Sequence, residues 1–285
     1  MSSTTALPTR VGVLGGGRMG AGIAHAFLIN GCEVLVVERD DDSAAAARER
    51  VESAVAKSVE RGLAGTVEGI ASRLTVSTDY ADFADRELVV EAVPEIWDLK
   101  VSSLQGVEKH LADGAVLASN TSSLSMTGLA AELARPQDFI GLHFFNPVPA
   151  STLIEVVIAQ QSRPELVGTA KGWVEALGKT AVVVNDAPGF ASSRLGVAIA
   201  LEAMRMVEEG VASAEDIDNA MVLGYKHPTG PLRTTDIVGL DVRLGIAEYL
   251  AETLGERFAP PQILREKVAR GELGRKTGKG FFDWA

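Results

Sequence analysis

Cysteine occurs once in the 285 residues, at Cys32, so no disulfide can close within the chain, which fits a reducing cytoplasm. No stretch of eighteen apolar residues is present, and that excludes a membrane-spanning helix. Aromatic residues are scarce, 5% against 46% hydrophobic overall, so the core is built on Ala, Val, Leu and Ile. Cations are outnumbered, 27 against 38 acids, for a net charge of −11. That balance argues against nucleic acid and anionic membrane as partners. It does not exclude an anionic substrate, because helix N-termini and local cations hold phosphate even on an acidic protein. Residues 1–9 are small and polar, lack the apolar segment of a signal peptide, and read as a disordered tail.

Apolar runs alternate with helical patterns over the first two thirds of the chain. Val11-Gly12-Val13-Leu14 and Val34-Leu35-Val36-Val37 read as buried strands around a helix over 21–29, a βαβ unit with parallel strands. A long helix over 40–61, a short one to 71, and a helix over 98–111 follow. Strand-like runs lie at 74–76, 88–92, 115–118, 139–142, 153–158 and 181–184. The pattern predicts an α/β fold, an N-terminal Rossmann-like doubly wound domain. It changes at Ala187-Pro188-Gly189-Phe190, beyond which only helical segments are expected, over 191–209, from 213, over 235–254 and over 261–270. The predicted domains are therefore 10–186 and an all-helical 187–285.

Gly15-x-Gly17-x-x-Gly20 follows the first strand and opens the first helix. Gly15 permits the tight turn, Gly17 lets a pyrophosphate approach the backbone, and Gly20 lets helix and strand pack closely. Glu38, eighteen residues past Gly20, is placed to accept from both ribose hydroxyls and to repel a 2′-phosphate, which favours NAD over NADP. Arg39 leaves NADP open, since it accepts a phosphate if Glu38 turns away.

Ligands bind at the carboxyl ends of strands in such sheets. Those ends carry Glu91, then Asn120-Thr121-Ser122, then His143 and Asn146. Histidine occurs only four times. His143 ends one apolar run, and Glu155 lies among the aliphatics of the next. A buried carboxylate that holds one imidazole nitrogen turns the other toward a substrate proton. The plainer readings are a core histidine satisfied by a carbonyl, and Ser122 or Ser123 as the cap of a helix from Leu124.

Taken together, Gly15-Gly16-Gly17-Arg18-Met19-Gly20, Glu91-Ala92-Val93-Pro94-Glu95, Ser119-Asn120-Thr121-Ser122-Ser123-Leu124, His143-Phe144-Phe145-Asn146-Pro147, Pro188-Gly189-Phe190, Gly230-Pro231-Leu232, Gly239-Leu240-Asp241 and residues 274–281 resemble the 3-hydroxyacyl-CoA dehydrogenases, of the short 3-hydroxybutyryl-CoA type. The resemblance runs from about residue 10 to 284. It implies an NAD-dependent oxidoreductase of fatty acid metabolism that interconverts a (3S)-3-hydroxyacyl-CoA and a 3-ketoacyl-CoA. It implies His143 as catalytic base, Glu155 as its orienting acid and Ser122 as the donor to the reacting oxygen. Gly15, Gly17, Met19, Gly20, Glu38, Glu95, Lys100, Asn120, Asn146 and Lys276 match cofactor-lining positions, and Lys57 matches one near the coenzyme A moiety. It further implies a cytoplasmic homodimer formed through the C-terminal domain, with an acyl-CoA substrate, no metal and no nucleic acid or membrane partner.

One position departs from the family pattern. Ser193 stands where the family places an asparagine that contacts substrate, three residues after Phe190. Thr229 and Arg233 also bear on the acyl end, and Arg233 raises the idea of a carboxylated acyl tail. Two other readings stand beside the family one. A β-hydroxyacid dehydrogenase acting on a free acid would place a lysine on the helix over 191–209, which has none. A non-catalytic nucleotide-binding scaffold is the other, motivated by Ser193.

Overall fold

Near-continuous aliphatic runs give strands buried on both faces, as a parallel sheet covered by helices requires. In the computed structural model, which describes residues 6–284, these strands are β1 (Arg10–Leu14), β2 (Glu33–Val37), β3 (Leu74–Ser77), β4 (Leu88–Glu91), β5 (Val116–Ser119), β6 (Phe139–Phe144), β7 (Leu153–Ile158) and β8 (Thr180–Asn185). They form one sheet in the order β3-β2-β1-β4-β5-β6-β7-β8. β1 to β6 run parallel, β7 is antiparallel to β6, and β8 is parallel to β7. Only residues 145–152 join β6 to β7, too few for the crossover that a parallel pair needs. The doubly wound plan thus holds, with one antiparallel pair that the apolar pattern does not reveal.

Six helices flank the sheet: α1 (Arg18–Ile29), α2 (Asp41–Glu60), α3 (Val67–Ala71), α4 (Trp97–Glu108), α5 (Met126–Ala131) and α6 (Pro164–Ala176). Asp40 caps α2 by accepting from Ser43 N, with Asp41 and Asp42 in the first turn, where acids favour the helix dipole. The cap expected of Ser122 or Ser123 belongs instead to Ser125, whose hydroxyl accepts from Gly128 N at 3.0 Å. Phe27, Phe139, Ile140 and Leu142 are almost fully buried. Each such side chain stabilises the fold by about 1.5–3 kcal/mol.

Part of the tail expected over residues 1–9 is held against the fold. Leu7 packs on the core, Thr9 N donates to Glu87, and Glu33 N donates to the Thr9 carbonyl. Residues 1–5 lie outside the described residues.

The chain divides into two compact units, the second running from Ala187 to Ala285. It contains α7 (Ser192–Glu208), α8 (Ala214–Asn219), α9 (Pro231–Val238), α10 (Leu240–Leu254) and α11 (Gln262–Ala269) around its own core of Val197, Leu201, Met204, Leu232 and Leu250. The single helix expected over 235–254 is broken at Gly239, whose φ of +111° no helix accommodates. The buried Asp236 carboxylate then gathers the end of the chain. It accepts from Phe281 N and Phe282 N at 2.9 Å and from Trp284 Nε1 at 2.8 Å. A Cβ at Gly280 would collide with that carboxylate, which explains a glycine there.

Candidate active site

A cavity of about 1000 Å³ opens at the carboxyl ends of the parallel strands of the first unit. Its floor is the glycine turn. Gly15 takes φ +89°, a conformation open to glycine. A Cβ at Gly20 would run into the Gly15 carbonyl, so Gly20 serves helix–strand packing, and it does not border the cavity. A Cβ at Gly17 would meet nothing within 4 Å, although Gly17 lines the cavity. Protein packing therefore gives no reason for a glycine at 17, and close approach of a ligand does. Gly17 is also the N-cap of α1 and offers no capping side chain. The helix end is left with unpaired N–H groups and a positive dipole for an anion. This cradle fits a dinucleotide pyrophosphate.

Glu38, just past β2, accepts from Gly16 N at 2.6 Å through Oε1 and from Arg39 N at 3.2 Å through Oε2. It faces the glycine turn and has not turned away. Arg39 pairs with Asp40 at 2.9 Å, and its side chain is 84% exposed. The carboxylate at the ribose position is thus held in place, which favours NAD. Arg50 of α2 borders the same cavity and donates to the Gly16 carbonyl at 3.2 Å. The sequence reading missed it. Its signal was the helical spacing from Ser43 and Ala46, which share the cavity face.

Beyond the glycine turn, buried ionic groups fix the strand ends. Lys100 of α4 lies 2.7 Å from Glu91 at the end of β4, both at 1% exposure or less, and also donates to the Val93 carbonyl. Ser119 at the end of β5 donates to the other Glu91 oxygen at 2.6 Å. Every strong acceptor and donor of the pair is therefore satisfied, as burial demands. Glu95 accepts from the Thr121 hydroxyl at 2.5 Å, from Ser122 N at 2.9 Å, and from Ser123 N and Oγ at 3.0 Å. Burial alone would raise its pKa, but the Lys100 charge and these hydrogen bonds outweigh that and hold the carboxyl below its ordinary value. Ser122 is thereby positioned by its backbone, while its hydroxyl makes only a 3.4 Å contact to Glu95. Asn120 Oδ1 accepts from Phe144 N at 2.8 Å and so ties the end of β5 to the end of β6.

β6 runs through Phe144, so His143 lies inside the strand and not beyond it, as the apolar run implied. Ile140, Leu142 and Phe144 of β6 and Ile154 and Val156 of β7 join the main core cluster. Side chains alternate along a strand, so His143 and Glu155 face the other side together. The antiparallel register sets them directly opposite each other. His143 Nδ1 is 2.8 Å from Glu155 Oε2, with His143 6% exposed and Glu155 fully buried. The Phe145 ring packs at 4.5 Å, centroid to centroid, on the imidazole. His143 lines the cavity together with Met19, Glu95, Lys100, Asn120, Ser122 and Asn146. The Asn146–Pro147 bond is cis.

Three expected residues stand elsewhere. Lys57 is exposed on α2 and does not border the cavity, though helical spacing puts it on the Ser43–Ala46–Arg50 face. Lys276 lies in the helical unit, 2.6 Å from both oxygens of Asp241. Ser193 lies in the first turn of α7. Arg233 is held 4.2 Å over the Phe282 ring and 5.4 Å over Trp284. It borders a small hollow with Asp218 and Glu215, an acidic setting that does not favour a carboxylate.

A Rossmann sheet, a glycine cradle with an acid at the ribose position, and an imidazole–carboxylate pair on the same cavity define a nicotinamide-dependent dehydrogenase. The model of the 3-hydroxyacyl-CoA dehydrogenase NAD binding domain matches residues 10–187, and that of the 3-hydroxyacyl-CoA dehydrogenase C-terminal domain matches 189–284. The chain belongs to the 3-hydroxyacyl-CoA dehydrogenase family, NAD-dependent oxidoreductases. It is 40% identical to a probable 3-hydroxybutyryl-CoA dehydrogenase of Deinococcus radiodurans, over 96% of this chain and 100% of that protein. It is 36% identical to the mitochondrial hydroxyacyl-coenzyme A dehydrogenase of Sus scrofa, over 99% and 93%. Among solved structures, the (S)-3-hydroxybutyryl-CoA dehydrogenase of Ralstonia eutropha superposes with a TM-score of 0.93 at 36% identity, covering 98% of this chain and 100% of that one. Among the described residues no helix is long and apolar enough to cross a membrane, and no group of His, Cys, Asp or Glu is arranged to hold a metal ion.

Proposed function

We propose that this chain interconverts a short-chain (3S)-3-hydroxyacyl-CoA, 3-hydroxybutyryl-CoA first among them, and the corresponding 3-ketoacyl-CoA. The buried His143–Glu155 pair on the cavity of the glycine cradle carries the reading. The relatives named 3-hydroxybutyryl-CoA dehydrogenase support the chain length.

Glu155 holds His143 through Nδ1, fixes the tautomer, and stabilises the imidazolium that forms. His143 takes the proton of the 3-hydroxyl at Nε2. Ser122 donates to the same oxygen as its charge develops. NAD held in this cavity would supply the acceptor for the hydride that leaves C3. Gly15, Gly17, Met19, Glu38, Glu95, Lys100, Asn120 and Asn146 hold the dinucleotide, with Gly20 packing the turn beneath it. By the family pattern Lys276 matches a cofactor-lining position, Lys57 one near coenzyme A and Ser193 one against the substrate.

The protein acts in the cytoplasm as a homodimer formed through its helical unit. Leu195 and Ile199 on α7 and Ile237, Val238 and Val242 around Gly239 are exposed apolar side chains of that unit, which supports an interface there. Initial rates with NADH and NADPH against a ladder of 3-ketoacyl-CoA thioesters test the reading. NADH and acetoacetyl-CoA are expected to react fastest among uncharged thioesters. Preference for NADPH, or for a long acyl chain, contradicts it.

A further inference from the structure

Tyr80, just after β3, and His143 of β6 border the same cavity, and the strand order β3-β2-β1-β4-β5-β6 sets them at its opposite sides. Nicotinamide reacts beside His143, so the other end of the dinucleotide belongs on the β2–β3 side. The Gly17 cradle takes the pyrophosphate and Glu38 the adjoining ribose. The base comes next. Glu38 N donates to the carbonyl of Ser77, the last residue of β3, at 3.0 Å. Tyr80 stands three residues beyond Ser77.

The Tyr80 ring is held from two sides. It opens a 3-10 turn, Tyr80–Phe83, whose N-cap Asp79 accepts from Ala81 N. The fully buried Phe83 ring lies 6.3 Å from it, centroid to centroid. α4 forms the second side. Leu99 and Ser103 of that helix border the cavity, and Gly106 follows one turn on along the same face. A Cβ at Gly106 would lie 2.5 Å from Tyr80 Cε2 and 2.8 Å from Cδ2. Glycine inside a helix destabilises it relative to alanine, and the ring accounts for glycine at this place. Tyr80 thus continues the wall of α4 where the helix itself has no side chain. Arg39 also borders the cavity, but it pairs with Asp40 and is 84% exposed. Phe144 and Phe145, the other apolar aromatics on the cavity, are chain neighbours of His143 on the far side.

We infer that Tyr80 receives the adenine of the dinucleotide and is a specificity residue for the base of the cofactor. The inference deepens the proposed function and rests on it. A purine packs on an aromatic ring by its π-face or edge, without any charge on the protein. Glu38 holds the ribose by hydrogen bonds, and Tyr80 adds the apolar surface that the base needs.

The test measures NADH affinity by fluorescence titration of the full-length protein without acyl-CoA. Tyr80→Ala is expected to weaken binding by about 5- to 100-fold, and Tyr80→Phe, which keeps the ring, by less than about threefold. Gly106→Ala adds the colliding Cβ and is expected to weaken binding by about threefold or more. Tyr80→Leu repeats the measurement if the alanine variant does not fold. With acetoacetyl-CoA, the wild-type preference in kcat/KM for NADH over reduced nicotinamide mononucleotide, which has no adenosine, is expected to fall in Tyr80→Ala as far as the affinity does. Unchanged NADH affinity in Tyr80→Ala overturns the inference. So does an equal loss with the mononucleotide, which would make Tyr80 a support of the whole site. Weaker binding of coenzyme A with NADH binding intact also overturns it, since the ring would then serve the adenine of coenzyme A. A wild type that does not bind NADH defeats the proposed function itself, and the inference falls with it.

Discussion

Glu155 stands directly across the sheet from His143, because the one antiparallel strand pair brings their Cα atoms into register and leaves Oε2 2.8 Å from Nδ1. Both side chains sit on the face away from the main core cluster, where an imidazole–carboxylate pair reaches the cavity without breaking that core. If the carboxylate stabilises an imidazolium during turnover, Glu155→Gln lowers kcat by about 100-fold while the fold persists. Turnover and thermal melting of the same preparation check this. A variant that melts earlier yet turns over normally reduces Glu155 to a structural role.

Gly17 separates protein packing from ligand space. Its backbone is extended and a Cβ meets no protein atom within 4 Å. Gly17→Ala is therefore expected to fold with a stability within about 0.5 kcal/mol of wild type. Its affinity for NADH falls by about tenfold or more, because the added methyl stands where the pyrophosphate meets the helix end. Fluorescence titration with NADH measures this, and unchanged affinity removes the glycine cradle from the account.

Lys100 and Glu91 form a buried pair, and removing one partner leaves the other charged and unpaired. Lys100→Met is expected to destabilise the fold by about 3–5 kcal/mol, read from urea unfolding. A loss below about 1 kcal/mol would mean that Glu91 takes up a proton at little cost.

Glu95 supplies a pH dependence. Its folded pKa lies below the ordinary 4.5, so its contribution to stability is present above that value. The contribution is lost as pH falls from about 4.5 through the lowered folded value. Melting temperatures of wild type and Glu95→Gln, taken at pH 7 and at steps below 4.5, are expected to converge as the pH falls. Parallel curves contradict the assignment. The side chain is a third exposed, so solvent screening keeps the effect modest.

Much of this was legible in the chain, and the limits have physical causes. Aliphatic runs marked the strands, and Gly15, Gly17, Gly20 and Glu38 marked the nucleotide edge, because backbone geometry leaves few other residues able to serve there. His143 and Glu155 stood out as polar groups in apolar runs. Strand direction did not show, since alternation reports faces and not orientation, so the pairing that sets Glu155 against His143 needed the β6–β7 connection. The break at Gly239 was hidden because apolar spacing continues across it. Ser125 rather than Ser122 caps α5 because the helix begins at Met126, two residues past Leu124, which the apolar pattern alone does not show. Arg50 was missed for a similar reason: a cation's role depends on what it faces across the fold, and Arg50 lies in no motif.

The most direct measurement is NADH oxidation with acetoacetyl-CoA by the wild type and by His143→Gln. The wild type is expected to turn over and to yield the (3S)-3-hydroxy product. The variant is expected to lose about 10²- to 10⁴-fold in kcat while binding NADH as before. Near-normal turnover by His143→Gln would contradict the central claim.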